Sequence, residues 1–142
     1  MNTKVQLTQL NNNGDARGFS FMAPAEALPI VGRMADVHLA SMKPGAVRGN
    51  HYHLRRREAI VVLPGAKWSF HWDEGDGSSA QHREFDGGRA VLVLVSPDAS
   101  HAVRNDGTAL CGWSQFPPRP TIRQRAWLAR WCEVRNGVGK SV

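Results

Sequence analysis

Short runs of hydrophobic residues, separated by glycine, proline and polar turns, follow one another along most of the chain. The β-branched stretch 58–63 and the alternating polar and aromatic stretch 67–72 predict two strands of a hairpin. The continuous apolar run 90–95 is typical of a strand buried on both faces. Further strands are predicted at 35–42, 50–53, 83–85, 101–105 and 109–116. This pattern predicts an all-β sandwich or barrel.

The hydrophobic period changes after the proline-rich stretch 117–120. Four apolar residues then share one helical face: Trp127, Leu128, Trp131 and Val134. We therefore predict a short C-terminal α-helix at about 121–135, packed on the barrel or on a second subunit. A chain of 142 residues is long enough for one core and too short for two ordinary domains. We predict a single domain over 1–142 with its core at about 15–116.

The charge and the cysteine content restrict the classes of partner and the cell compartment that the sequence predicts. The 18 lysines and arginines exceed the 12 acidic residues, and the net charge of +6 favours anionic partners such as phosphorylated small molecules. No zinc-finger spacing or aromatic RNA-binding strand accompanies this charge, so nucleic acid is the weaker alternative. No apolar run has the length of a signal peptide or a membrane span. With Cys111 and Cys132 predicted to be reduced thiols, we expect a cytoplasmic protein.

Metal-binding side chains are most concentrated in the segment 45–65. His51 and His53 are two residues apart, so in a strand their side chains point to the same side, while Tyr52 points away. The two imidazoles would then offer two nitrogen donors to one volume. This spacing predicts one half of a metal site.

Glu58 and His101 are the candidates for the other half. The four residues 54–57 are enough for the chain to turn, so Glu58 at the start of the returning strand can add a carboxylate oxygen. His101 follows the buried run 90–95 and offers a third imidazole. Three imidazoles and a carboxylate suit one divalent metal ion, either Zn, Fe, Mn or Ni, and leave room for water or substrate.

The segment 45–65 matches the first motif of the cupin superfamily, G(X)5HXH(X)3,4E(X)6G, at every specified position. The second motif, G(X)5PXG(X)2H(X)3N, is matched in part by the stretch from His101 to Asn105, with Pro97 displaced by one position and Asp98 in place of a glycine. The chain thus resembles a single-domain cupin, whose fold is a jelly-roll barrel, or double-stranded β-helix. This resemblance implies that the two histidines of the first motif, its glutamate and His101 bind the metal.

Within the superfamily, the stretch from Arg48 to His53 resembles both the RGxH segment of nucleotide-sugar epimerases and ketoisomerases and the GNHxH segment of capsular-polysaccharide-assembly cupins. The stretch 15–19 resembles an element that precedes the barrel of deoxysugar epimerases. In those epimerases the histidine of RGxH is a base paired with a tyrosine acid, and the metal ligands are incomplete. The only tyrosine of this chain, Tyr52, is predicted to face away from His51, while the ligand set looks complete.

We therefore expect a metal-dependent enzyme that epimerises or isomerises an anionic, nucleotide-linked sugar. The ion would polarise the substrate carbonyl, and a base, His71 or Glu84, would move the proton. Arg48 and Arg55 are predicted to bind the phosphates, because guanidinium groups bind phosphate in a bidentate manner.

Three alternatives remain open from sequence. The same ligands would serve an Fe(II)-dependent dioxygenase. A non-catalytic, small-molecule-binding cupin is the second alternative, and a polar, metal-free barrel mouth is the third. For assembly we expect a homodimer, because small cupins pair through edge strands.

Overall fold

The computed structural model describes residues 3–27, 29, 38–63, 65–116 and 122–124. These residues form ten β-strands: β1 (Val5–Gln9), β2 (His38–Met42), β3 (Val47–His53), β4 (Glu58–Val62), β5 (Trp68–Asp73), β6 (Gln81–Phe85), β7 (Val91–Val95), β8 (Ser100–Asn105), β9 (Cys111–Phe116) and β10 (Ile122–Gln124). They pair in two five-stranded antiparallel sheets, in the orders β1-β7-β4-β9-β2 and β10-β3-β8-β5-β6. The predicted all-β jelly roll is confirmed.

The hydrophobic core lies between the two sheets because each sheet turns alternate side chains toward the other. Ile60 and Val62 on β4 and Trp68 and Phe70 on β5 are fully buried there. Burial of one such side chain contributes about 1.5–3 kcal/mol. These contacts hold the two sheets face to face.

Strand β7 is buried on both faces, as its apolar run predicts. Its three valines face the space between the sheets. Its two leucines, Leu92 and Leu94, belong to a second buried cluster with Leu10, against which Phe21 packs. The N-terminal segment therefore covers the outer face of this sheet, which explains why β7 lacks the alternation of a half-exposed strand.

The predicted hairpin of 58–63 and 67–72 is wrong. Strand β4 lies between β7 and β9, whereas β5 lies between β8 and β6 in the other sheet. The short connection after β4 crosses between the sheets, so the apolar residues of the two strands face each other across the core. Sequence alternation predicted both strands but could not identify their partners.

The barrel begins earlier than the predicted core range 15–116. Strand β1 pairs with β7 from Val5↔Val95 to Gln9↔Val91. The later segment folds back on its own chain through the isolated bridges Asn12↔Phe21 and Asp15↔Gly18. Strand β1 alternates Val5 and Leu7 with polar residues, which is the signal of a half-exposed edge strand.

At the other end, the predicted helix at 121–135 does not include Ile122–Gln124, because these residues form β10 and pair with His51–His53 of β3. The other residues of that predicted helix lie outside the described ones. In the part of the chain that is described, no helix has the length and apolar character needed to cross a membrane.

We expect Asn105→Ala to lower the free energy of unfolding by roughly 2–4 kcal/mol, because it leaves buried backbone groups without hydrogen-bond partners. The fully buried Asn105 donates from Nδ2 to the carbonyl oxygens of Met42 and Ala109, both at 2.8 Å, and accepts from Gly107 N at 3.0 Å. Urea denaturation measures the change. The exposed control Asn13→Ala should stay within about 0.5 kcal/mol of wild type; equal values for the two variants would contradict this role.

Candidate metal centre

A β-bulge in β3 decides which face of the sheet His51 occupies. Gly49 pairs with Ala102 of β8, and the next partners along the two strands are His51 and His101, so Asn50 is an extra residue. Because side chains alternate between the two faces of a sheet, this insertion moves each later side chain of β3 to the opposite face. His51 thereby lies on the same face as His101, which it would not do in a regular strand.

The bulge needs two consecutive residues with positive φ, at Gly49 (81°) and Asn50 (60°). Glycine adopts this conformation without strain, and asparagine tolerates it better than most residues do. A Cβ atom at position 49 would also lie 3.0 Å from the backbone oxygen of His101. The Gly-Asn pair is thus the local reason that the two strands approach closely beside the site.

His51, His53 and Glu58 form the cluster of metal-binding groups in the described part of the chain. One donor atom from each lies within 4.8 Å of the others. In tetrahedral geometry, bonds of about 2.0–2.2 Å place the donor atoms around one zinc ion about 3.3–3.6 Å apart. The donor atoms of this cluster therefore converge on one volume but are spread somewhat wider than around a bound zinc ion. His53 and Glu58 are buried, and His51 is half-buried.

Glu58 is contacted on both carboxylate oxygens. Its Oε1 lies 2.8 Å from His53 Nε2, and its Oε2 lies 2.9 Å from His101 Nε2. Both distances are within the range of an ion pair, whereas His51 Nε2 is buried without a hydrogen-bond partner among the described residues. A buried imidazole nitrogen without a partner, beside a carboxylate, fits a site that is completed by a metal ion.

The protonation states also fit a metal. Burial, with a further electrostatic contribution from the neighbouring His101, lowers the pKa of His51 to about 4. Burial raises the pKa of Glu58, but the contacts with His101 and His53 outweigh it and hold that pKa well below its usual range. At neutral pH His51 is therefore a neutral imidazole and Glu58 a carboxylate, which are the forms that bind metal ions.

His101 stands slightly apart from the other three predicted ligands. It contacts Glu58 but lies outside the three-residue cluster. It is fully buried, and its ring stacks on Phe70 with centroids 6.4 Å apart. The loop before it is anchored by Asp98 N, which donates to the carbonyl oxygen of His53 at 2.7 Å. Asp98 has a φ of 71°, so it adopts the left-handed conformation that glycine would have in the second cupin motif.

The two predicted bases do not join this cluster. His71 pairs with Ala102, the neighbour of His101, so its side chain lies on the opposite face of the sheet. There its Nε2 is 2.9 Å from Ser69 Oγ. Glu84 pairs with Ser69 on that same outer face and forms an ion pair with Lys67 at 3.4 Å. Strand alternation therefore separates both residues from the predicted ligands.

The predicted phosphate-binding arginines are exposed. Arg48 donates from Nε and Nη2 to the carbonyl oxygen of Ser41 at 3.3 and 3.2 Å, and Arg55 lies on the loop before β4. Arg56 follows Arg55 on this loop but is only 8% exposed, and its Nε lies 3.8 Å from Glu58 Oε1. The sequence signal for Arg56 is its position two residues before Glu58, because residues two apart lie on the same side of an extended chain.

Residues 13–111 match the family described as the polysaccharide biosynthesis C-terminal domain. The chain belongs to this family. The match includes all four predicted ligands and β2 to β8, so the family covers the site as well as most of the barrel. No curated protein matches the chain.

Several solved structures with the same fold are sugar epimerases or ketoisomerases. The 4-keto-6-deoxy sugar epimerase NovW of Streptomyces spheroides is 18% identical with a TM-score of 0.66, covering 83% of this chain and 65% of its own. The 3,5-epimerase RmlC of Legionella pneumophila is 18% identical with a TM-score of 0.65, covering 83% and 68%. The 3,4-ketoisomerase QdtA of Thermoanaerobacterium thermosaccharolyticum is 12% identical with a TM-score of 0.63, covering 99% and 100%.

These likenesses show the fold of the chain, an RmlC-like cupin. The chain spans 65% of the length of the NovW chain. Low sequence identity means that the chemistry must be argued from the side chains of the site itself.

We expect Asn50→Val to destabilise the protein by about 1–2 kcal/mol, because a β-branched residue is strained at positive φ, whereas Asn50→Gly keeps the bulge without strain. Thermal and urea unfolding of both variants measure the difference. If valine and glycine had the same effect, the bulge would not depend on the conformation of residue 50.

Proposed function

We propose that this protein is a metal-dependent cupin enzyme that epimerises or isomerises a keto sugar carried on a nucleotide. The convergence of His51, His53 and Glu58 on one buried volume is the observation that carries the proposal. The sugar substrate is supported by the fold neighbours, among which QdtA was crystallised with TDP-4-keto-6-deoxyglucose and RmlC with dTDP-4-keto-L-rhamnose.

In this proposal His51, His53 and Glu58 hold the ion. His101 is the fourth member of the site and contacts Glu58 Oε2. When bound, a divalent ion polarises the keto oxygen of a substrate and so makes the adjacent C–H bond more acidic. Glu58 supplies negative charge to the site, and His101 keeps its carboxylate oriented. Because His51 is half-buried, it lies nearest to solvent among the four and marks the side from which substrate would enter.

The nucleotide is proposed from charge. The protein carries a net charge of +6, and Arg55 is exposed on the loop between the second histidine and Glu58. Exposed guanidinium groups beside a site attract and bind phosphate groups. We do not propose His71 or Glu84 as the proton-transfer groups, since the outer face of the sheet is not where this substrate would lie.

We expect wild-type protein to hold one divalent ion per chain, and His53→Ala and Glu58→Ala to lose it, because each removes a donor from the three-residue cluster. His101→Ala should keep the ion with about 10- to 100-fold lower affinity, as is usual when a residue that orients a ligand is removed. Elemental mass spectrometry gives the metal content, and competition with a chelator gives the affinity.

His82→Ala is the control, since His82 is exposed on β6 and stacks on His71 at the outer face. Its metal content should equal that of wild type. Wild-type protein that holds no metal after reconstitution would remove the basis of the metal mechanism.

Turnover is tested with TDP-4-keto-6-deoxyglucose in deuterated water. Metal-loaded protein should exchange hydrogen for deuterium at the carbons that flank the keto group, and proton NMR follows the loss of those signals. Glu58→Gln should slow the exchange by at least about 100-fold, because it removes the charge that anchors the site. Loaded wild-type protein that does not exceed the exchange rate without protein would exclude this substrate.

An Fe(II)-dependent dioxygenase is the second candidate, because two histidines and one carboxylate are also the donor set of non-haem iron oxygenases. Oxygen consumption by iron-loaded protein would identify it, and the zinc-loaded protein would then be inactive. Saturable sugar binding with neither exchange nor oxygen uptake would instead indicate a binding protein.

A further inference from the structure

Arg56 is a buried cation beside the candidate metal centre. Its side chain is 8% exposed and its Nε lies 3.8 Å from Glu58 Oε1, whereas its neighbours Arg55 and Arg57 are exposed. A guanidinium group remains charged under all conditions in which proteins are folded. The buried guanidinium group of Arg56 therefore places a full positive charge beside the site.

This charge makes the site electrostatically positive once a divalent ion is bound. Glu58 is contacted by Arg56 at 3.8 Å as well as by His53 and His101 at 2.8 and 2.9 Å. An ion held by Glu58 would add two positive charges beside the guanidinium group of Arg56. Uncompensated buried charge is unfavourable, so such a site gains most from a ligand that brings negative charge.

We propose that Arg56 binds an anionic oxygen of the substrate beside the ion that His51, His53 and Glu58 would hold. This inference rests on the proposed function and specifies its ligand. In a keto sugar, the C–H bond beside the carbonyl breaks, its electron pair moves to the keto oxygen to give an enolate, and the proton leaves to solvent and later returns. The guanidinium of Arg56 stabilises the negative charge that develops on that oxygen.

Oxalate is a suitable probe, because it offers anionic oxygens and needs no turnover. Zinc-loaded wild type, Arg56→Met and the exposed control Arg57→Met are titrated with oxalate by calorimetry, and zinc content is measured before and after. We expect Arg56→Met to bind oxalate at least about tenfold more weakly, because one charge-assisted contact is lost. Arg57→Met should stay within about twofold of wild type, because exposed charges contribute little.

Zinc affinity separates this role from a purely structural one. Removing a positive charge beside the ion should leave zinc binding to Arg56→Met equal or tighter, because repulsion is relieved. If Arg56 served only to position Glu58, the substitution would weaken zinc binding instead. The two measurements are thus expected to change in opposite directions.

Arg56→Lys keeps the charge and should bind oxalate more tightly than Arg56→Met. Unchanged oxalate affinity in fully loaded Arg56→Met, or weaker binding of zinc and oxalate together, would overturn the role proposed for Arg56 while leaving the metal centre intact. Wild-type protein that takes up no zinc would refute the proposed function itself, and the inference with it.

Discussion

The buried carboxylate of Glu58 is the constraint on which the site depends. Glu58 lies on β4 in one sheet, while His53 and His101, which contact its two oxygens, lie on β3 and β8 in the other. A carboxylate removed from water is costly unless charged or polar groups surround it. The two sheets must therefore meet at this end of the barrel with a fixed spacing. The large apolar side chains between the sheets, such as Trp68 and Phe70, provide that spacing.

The face of the sheet on which a side chain lies determines whether the residue can join the candidate metal centre. The bulge at Gly49 and Asn50 turns His51 to the inner face, and the two-residue spacing then brings His53 to the same face. On β5 and β8, by contrast, uninterrupted pairing keeps His71 on the outer face, beside Ala102. A one-residue difference thus separates a candidate ligand from a buried residue on the opposite face of the sheet. The chemistry of this barrel depends on its register as much as on its residue types.

Features that depend on neighbours in sequence could be predicted, and those that depend on strand pairing could not. The spacing of His51, His53 and Glu58 is a local feature, and the structure brings these three side chains together. The apolar run of β7 is also local, and the structure buries this strand. The assignment of the strands at 58–63 and 67–72 to different sheets depends on long-range pairing. The same limit applies to Ile122–Gln124, which pair with β3 although the sequence predicts a helix from about 121.

His51 connects the two mechanisms that the fold and its relatives suggest. In the epimerases that the RGxH segment resembles, this histidine is a base, and a base needs an unoccupied lone pair. Here one ring nitrogen of His51 lies within 4.8 Å of donor atoms of His53 and Glu58, and burial keeps its imidazole neutral at pH 7. One lone pair cannot bind an ion and accept a proton at the same time. The second histidine and the glutamate are therefore the residues that would distinguish a metal centre from a catalytic base, because a base alone would need neither.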